Sequence, residues 1–150
     1  MFYLAQVNTG IAKGAMDSDV MKVFSDNLDP INAIAEASDG FVWRLKDEAG
    51  NATDIVFSDN PNELINMSVW QSVAALKYFM FKTHHIDFLK RKKEWFETAT
   101  EQTYALWWVP VGHYPSVQDA KDRLALLNVK GETAQAFTFK KLFEPPKQII

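Results

Sequence analysis

Apolar and polar residues alternate most clearly over 63–70, where Ile65, Met67 and Val69 share one face. A period of two residues is typical of a β-strand. The polar stretch over 46–59 has no such period, and we predict that it is an exposed hairpin-like loop. Shorter apolar and aromatic runs predict further strands over 2–7, 41–45, 103–109 and 136–139.

Apolar residues at helical spacing follow three residues that can cap a helix: Ser18, Ser72 and Ser116. Ser116 and Asp119 together resemble a capping box. Pro30 interrupts the first helical pattern, and the second continues past two histidines to about residue 96, with a predicted bend near them. Strands and helices therefore alternate along the chain. This order predicts an α+β domain with helices on one face of a mostly antiparallel sheet.

The composition narrows the class of protein. Of the 150 residues, 47% are hydrophobic and 23% are charged, which is normal for one globular domain. We assign this domain to residues 1–143 and a loose tail to residues 144–150. The absence of cysteine excludes disulfides, and the net charge of −3 argues against nucleic-acid binding. Because the sequence shows no signal peptide and no apolar run of about 20 residues, we expect a cytoplasmic protein that binds no membrane.

Four tryptophans lie in or at the end of predicted strands: Trp43, Trp70, Trp107 and Trp108. The adjacent Trp107 and Trp108 must point to opposite faces of their strand, so both faces of the sheet need cover. Helices can cover one face, and a second copy of the chain can cover the other. We therefore expect a homodimer. The same indole rings suit the walls of a pocket for a flat ligand, and both interpretations stay open.

Three histidines are the first candidates for acid–base chemistry, because imidazole titrates near neutral pH. His85 lies on a helix behind an apolar stripe and could face a pocket, or it could fix a bend in that helix. His113 lies in a constrained turn after a strand, where it could act on a ligand or hold the turn. His84 is expected to pack. Adjacent histidines on a helix point about 100° apart, so we expect no metal site.

Several polar residues lie in or beside strands of an otherwise apolar sheet, among them Asn8, Arg44 and Asn66. A buried polar group without a partner costs roughly 1–3 kcal/mol, so each should bind protein or ligand. The basic run over 90–93 is predicted to form a solvated helix face, because Glu94 and Glu97 are close enough to neutralise part of its charge.

Several motifs extend this picture over nearly the whole chain. They are Asn66-Met67-Ser68-Val69-Trp70-Gln71, His85, Glu94-Trp95-Phe96, Leu106-Trp107-Trp108, Gly112-His113 and Ala136-Phe137-Thr138-Phe139. Together they resemble an uncharacterised bacterial family, a domain of unknown function within the dimeric α+β barrel superfamily. The resemblance implies a ferredoxin-like sheet that pairs with a second copy to close a barrel. Its relatives include cofactor-independent antibiotic-biosynthesis monooxygenases and haem enzymes.

Our leading functional hypothesis is a small-molecule enzyme similar to the cofactor-independent monooxygenases, acting on a flat aromatic or apolar substrate. Asn8, His85 or His113 would orient or deprotonate the substrate. The predicted binding residues are Trp43, Trp70, Trp107, Trp108, Arg44 and Asn66. No cofactor is expected, with haem bound through His85 as a subsidiary hypothesis. The alternative is a non-catalytic ligand-binding or dimeric interaction module.

Overall fold

The computed structural model describes residues 1–47, 50, 52–53 and 55–147. Within these residues, four antiparallel strands form one sheet in the order β2-β3-β1-β4. The strands are β1 (Phe2–Ile11), β2 (Phe41–Arg44), β3 (Glu63–Trp70) and β4 (Tyr104–Pro110). The helices are α1 (Lys22–Asp26), α2 (Leu28–Ala37), α3 (Val73–Lys82), α4 (His85–Trp95) and α5 (Val117–Lys130). This is the ferredoxin-like α+β fold that the resemblance implied.

Two of the three predicted capping residues form side-chain caps, whereas Ser18 precedes a short 3₁₀ helix (Asp19–Met21) and donates to the Ala15 carbonyl instead. The Ser116 side chain accepts a hydrogen bond from the Asp119 amide, and the Asp119 carboxylate accepts one from the Ser116 amide. The Ser72 hydroxyl likewise accepts from the Ala75 amide at the start of α3. Thr83 has an extended backbone, which separates α3 from α4 and confirms the predicted bend near the histidines.

The register of the strands sorts their side chains onto two faces. Asn8 lies opposite Asn66 on one side and Tyr104 on the other. Because successive side chains on a strand alternate, we distinguish an α5 face and a cleft face. The α5 face carries Ala5, Val7, Ile65, Met67, Val69, Ala105, Trp107 and Val109. The cleft face carries Leu4, Gln6, Asn8, Asn66, Ser68, Trp70, Tyr104 and Leu106.

Helices cover both faces of the sheet. Ala35 of α2 and Leu76 and Phe79 of α3 pack on the apolar part of the cleft face, as predicted. Leu124 and Leu127 of α5 pack on the other face. The sequence analysis expected helices on one face only, and the position of α5 on the second face corrects this expectation.

The position of α5 changes the argument for a second copy of the chain. Trp107 is only 1% exposed within one chain, and the Arg123 guanidinium carbon lies 5.8 Å from the centre of its ring system. The shelter that the sequence analysis assigned to a partner is therefore provided by α5. The homodimer stays a prediction that depends on the resemblance rather than on Trp107.

The predicted last strand, 136–139, is wrong as a regular strand. Only Phe137 pairs with β4, through two backbone hydrogen bonds with Leu106 of 2.7 and 2.9 Å. Tight turns on either side of Phe137 prevent the pairing from continuing. The Trp108 indole donates to the Phe143 carbonyl and so fastens the end of the predicted domain. Of the predicted loop and tail, residues 48–49, 51, 54 and 148–150 lie outside the described residues.

Candidate functional site

A cleft of about 1400 Å³ separates the cleft face of the sheet from the helices. Its helical walls come from α2 and from the α3–α4 pair. It opens at the end of the sheet where β1 ends and β3 and β4 begin, and it continues around this end toward α5. The space is therefore bounded by a sheet floor and two helical walls.

The floor of the cleft carries a polar row, which we define as Gln6, Asn8, Asn66 and Ser68. The Gln6 amide nitrogen donates to Asn66 Oδ1 and to Ser68 Oγ, both at 2.8 Å. The Asn8 amide nitrogen reaches Gln6 Oε1 and Asn66 Oδ1 only at 3.4 and 3.5 Å, which is long for a hydrogen bond. The row is thus tightly bonded at Gln6 and loosely bonded at Asn8.

The polar row has a buried end, which we call the closed end, and an exposed end at the mouth of the cleft, which we call the open end. Ser68 and Gln6 are buried, whereas Asn8 and Asn66 are exposed at the open end of the cleft. The Asn66 amide nitrogen has no hydrogen-bond partner among the described residues. The open end therefore presents amide groups to whatever enters the cleft.

Behind the closed end lies Trp70, which is fully buried. Its indole nitrogen donates to Ser68 Oγ at 2.8 Å, and its ring stacks on Phe79 with 5.1 Å between centroids. Trp70 does not line the cleft. It supports two groups that do, because Ser68 and Phe79 both reach the cleft surface.

His85 lies at the start of α4, where its ring packs on Phe79 at 4.7 Å between centroids. Its Nδ1 atom lies 3.3 Å from the Met80 carbonyl oxygen, which can accept a hydrogen only from a protonated Nδ1. Burial lowers the pKa of His85 below its usual 6.5, and the bond to Met80 opposes part of this effect. The lowered pKa favours the neutral imidazole, and in the tautomer that donates from Nδ1 to Met80 the proton acceptor is Nε2.

Arg44 extends the floor of the cleft onto β2. It pairs with Ser68 in the strand register, and its side chain is only 12% exposed. The Arg44 Nε atom donates to Glu36 Oε1 of α2 at 2.7 Å. An ionised group thus lines the cleft beside the uncharged polar row.

Aromatic side chains form much of the outer wall. Trp95 stacks on Phe88 with 5.5 Å between centroids, and Phe24 contacts both Trp95 and Phe96. A Cβ atom at Gly10 would lie 2.7 Å from Phe96 Cδ1, so glycine allows the ring to lie directly against β1. The wall is aromatic and apolar, with interplanar angles of 26° to 90° between neighbouring rings, which suits an apolar ligand with an aromatic ring.

The sequence analysis missed the aromatic wall of the cleft and two polar residues of its floor, Gln6 and Tyr104. Gln6 lies two residues before Asn8 on β1, and this spacing could have placed both on one face. Tyr104 lies opposite Asn8 on β4 and lines the cleft. Its hydroxyl oxygen accepts a hydrogen bond from the Phe139 amide at 3.3 Å. That contact is distant in sequence, so no local pattern indicated it.

Other predicted site residues lie away from the cleft. His113 is exposed in the turn after β4, at the opposite end of the sheet, with its Nε2 atom 3.6 Å from Asp119 Oδ2. The hydrogen bond from the Ser116 amide lowers the pKa of Asp119, and His113 adds to this effect. The expectation that His84 packs is wrong, because its side chain is exposed beside Asp87. The structure therefore brings together Asn8, Asn66, Arg44 and His85, but not His113.

The remaining tryptophans also lie outside the cleft lining. Trp43 packs with the α5-face cluster and stacks on Tyr114, with 5.5 Å between ring centroids. Trp107 is enclosed under α5, and Trp108 is half-buried beside Phe143. For these residues the interpretation as core fits better than the interpretation as ligand wall.

The residues can be compared with what a metal or haem needs. Across the part of the chain that the structure describes, no group of three or more histidines and carboxylates is placed to hold a metal ion. Haem needs fewer ligands. His85 could serve as an axial ligand through Nε2, because ligating histidines commonly direct the other ring nitrogen to a carbonyl.

The chain matches one protein family over nearly its whole length. A family model described as a domain of unknown function, DUF3291, matches residues 3–149. The chain belongs to the DUF3291 family. No curated protein matches this DUF3291 chain. None of the helices in the described ranges has the length and apolar character required to cross a bilayer.

Solved structures share the fold of this DUF3291 protein at low sequence identity. Rv0793 from Mycobacterium tuberculosis is 16% identical with a TM-score of 0.51, over 76% of this chain and 99% of that one. NE2512 from Nitrosomonas europaea, a protein of unknown function, is 13% identical with a TM-score of 0.51, over 77% and 97%. A "putative Antibiotic biosynthesis monooxygenase" from Chloroflexus aurantiacus is 15% identical with a TM-score of 0.45, over 75% and 97%. The two likenesses with a TM-score of 0.51 concern the fold.

Proposed function

We propose that this DUF3291 protein binds a flat, largely apolar small molecule in the cleft and removes a proton from it, as a cofactor-independent monooxygenase does. The observation that carries the proposal is the position of His85, which lines the cleft with its Nδ1 atom 3.3 Å from the Met80 carbonyl oxygen. A neutral imidazole with Nδ1 directed to a carbonyl has Nε2 available as a base. Its place beside an aromatic wall puts that base where a flat molecule would bind.

The reaction class needs a substrate whose deprotonated form reacts directly with oxygen. A base removes a proton from an activated methylene, and the carbanion is oxidised by O₂. One oxygen atom enters the new carbonyl group and the other leaves as water. In this scheme His85 accepts the proton, and the open end of the polar row, Asn8 and Asn66, orients the polar edge of the substrate.

Anthrone, a flat tricyclic ketone with an acidic methylene, provides a direct test. Wild-type protein should consume O₂ and form anthraquinone faster than buffer does. His85→Gln should lower the catalysed rate by about 10²- to 10⁴-fold, the usual contribution of a general base. His84→Gln is the matched control, since this neighbouring histidine is 86% exposed and should change the rate less than about twofold. Equal rates for wild type and His85→Gln would overturn the role of His85.

One observation favours a second candidate, a non-catalytic binding module. The polar row satisfies its own buried members, and no buried side-chain polar atom lacks a partner within the described residues. Anthrone binding without O₂ uptake by the wild type would assign this function. Haem is tested in the same series. If titration with haem shifts the Soret band of the wild type and His85→Gln abolishes the shift, His85 binds haem. The proposal of a cofactor-free reaction would then be replaced by one of a haem protein.

We also propose that the protein forms a homodimer, because the resemblance to the dimeric α+β barrel superfamily implies a second copy. Sedimentation at micromolar concentration should give twice the chain mass. A monomer under these conditions would overturn the proposal without affecting the cleft, which is formed within one chain.

A further inference from the structure

We propose that Arg44 binds an anionic group of the ligand, so that the molecule in the cleft is a flat aromatic carboxylate. The inference rests on the proposed function, because it names the ligand class for the same cleft. It adds a charged contact to a site whose other floor residues are uncharged.

The position of Arg44 is set by the sheet. Arg44 pairs with Ser68, and Ser68 pairs with Gln6, so the three side chains cross the cleft face in one line. The Arg44 side chain is 12% exposed and lines the cleft. No buried side-chain polar atom of the described residues lacks a partner, so the Arg44 donors without one belong to the exposed part of a side chain that lines the cleft.

The ion pair between Arg44 and Glu36 uses only one of the guanidinium donors. Glu36 accepts only from Nε, through one oxygen, and its own side chain is 46% exposed. The surface pair Arg91–Glu94 provides the comparison, since both carboxylate oxygens there engage the guanidinium, at 2.7 and 3.0 Å. A guanidinium has five N–H donors in a planar fork. In Arg44, the donors other than Nε have no acceptor among the described residues.

The surroundings favour an anion of the carboxylate type. The floor residues next to Arg44 are Ser68, Gln6 and Asn66, which are uncharged and add hydrogen-bonding capacity. The charged residues of the cleft rim are mixed in sign: Lys92, Lys93, Lys121, Glu63, Glu97 and Glu101. Arg44 is therefore the charged residue of the cleft floor. Its planar guanidinium matches the two oxygens of a carboxylate.

Two ligands of one shape separate charge from shape: 2-naphthoate and 2-naphthamide. Calorimetric titration of the full chain at neutral pH should show that 2-naphthoate binds at least tenfold more tightly than 2-naphthamide. Arg44→Gln should weaken 2-naphthoate binding by roughly 10- to 100-fold and leave 2-naphthamide binding within about twofold. Arg123→Gln is the matched control and should change neither affinity, because Arg123 lies on α5 over Trp107 and does not line the cleft.

Glu36→Gln provides a second test that does not remove Arg44. It deletes an exposed competing carboxylate, so 2-naphthoate should bind as tightly as before or up to several-fold more tightly. Equal affinities of the wild type for the two naphthalene ligands would overturn the anion site while leaving the flat-ligand cleft standing. Loss of 2-naphthoate binding in Glu36→Gln would also overturn it. If neither ligand binds the wild type, the proposed cleft function fails together with this inference.

Discussion

The two faces of the sheet are built by alternate residues of the same strands, yet their chemistry differs. On the α5 face, Ala5, Val7 and Met67 are fully buried among apolar neighbours. On the cleft face, Gln6 and Ser68 occupy equivalent positions and bind each other. Apolar side chains at these positions would need no hydrogen-bond partners, whereas a buried polar group without a partner lowers stability. The difference is one reason why we propose that the polar row serves binding, whereas the α5 face serves stability.

The largest expected effect of a substitution lies on the α5 face. Trp107→Ala removes a fully buried indole and leaves a cavity beneath α5, so it should lower the free energy of unfolding by about 3–5 kcal/mol. Urea denaturation followed by circular dichroism measures this loss. Val129→Ala, on the exposed side of α5, should change stability by less than about 0.5 kcal/mol. A similarly small effect of Trp107→Ala would show that α5 does not enclose this face.

A smaller effect is expected at the closed end of the polar row. Ser68→Ala leaves the buried Trp70 indole nitrogen without its acceptor, so it should lower the free energy of unfolding by about 1–3 kcal/mol. The same denaturation measurement applies. Asn8→Ala is the control at the open end, where the hydrogen bonds are long, and its effect should stay within about 0.5 kcal/mol. If both substitutions lower the free energy of unfolding equally, the closed and open ends of the polar row do not differ as the structure indicates.

The smallest expected effect is a dependence of stability on pH that comes from His85. Below pH 6.5 the unfolded chain protonates this imidazole, while burial lowers its pKa in the folded protein and keeps it neutral. The unfolded state then binds more protons, so the free energy of unfolding falls as the pH falls through and below 6.5. Urea denaturation at several pH values should show that His85→Gln flattens this slope.

His84→Gln again serves as the control. This exposed histidine should leave the slope over the same pH range as it is in the wild type. If the free energy of unfolding of His85→Gln has the same pH dependence as that of the wild type, folding does not lower the pKa of His85. The argument for His85 as a neutral base would then fail.

Much of this site could be predicted from local sequence. Asn8, Asn66 and Arg44 stood out as polar residues in apolar strands, and His85 stood out behind an apolar stripe. Gln6 did not stand out, because one polar residue within an apolar run is also compatible with a solvated strand edge. The tryptophans misled, since a large ring suits a core, an interface or a pocket equally well. Only burial and contacts separate these cases.

The sequence by itself determined the four strands of the sheet and the order of the helices, because periodicity, capping residues and proline act within a few residues of where they lie. It did not determine the single bridge at Phe137, which depends on pairing with β4. The alternation of β1 and β3 likewise determined which side chains share a face. Tertiary structure decided which helix covers each face, whether Trp107 needs a second copy, and that His85 faces the same cleft as Asn8. These outcomes depend on how distant segments pack, and the two residues are 77 positions apart. Spacing along the chain carries no information about such distances once the chain folds back on itself.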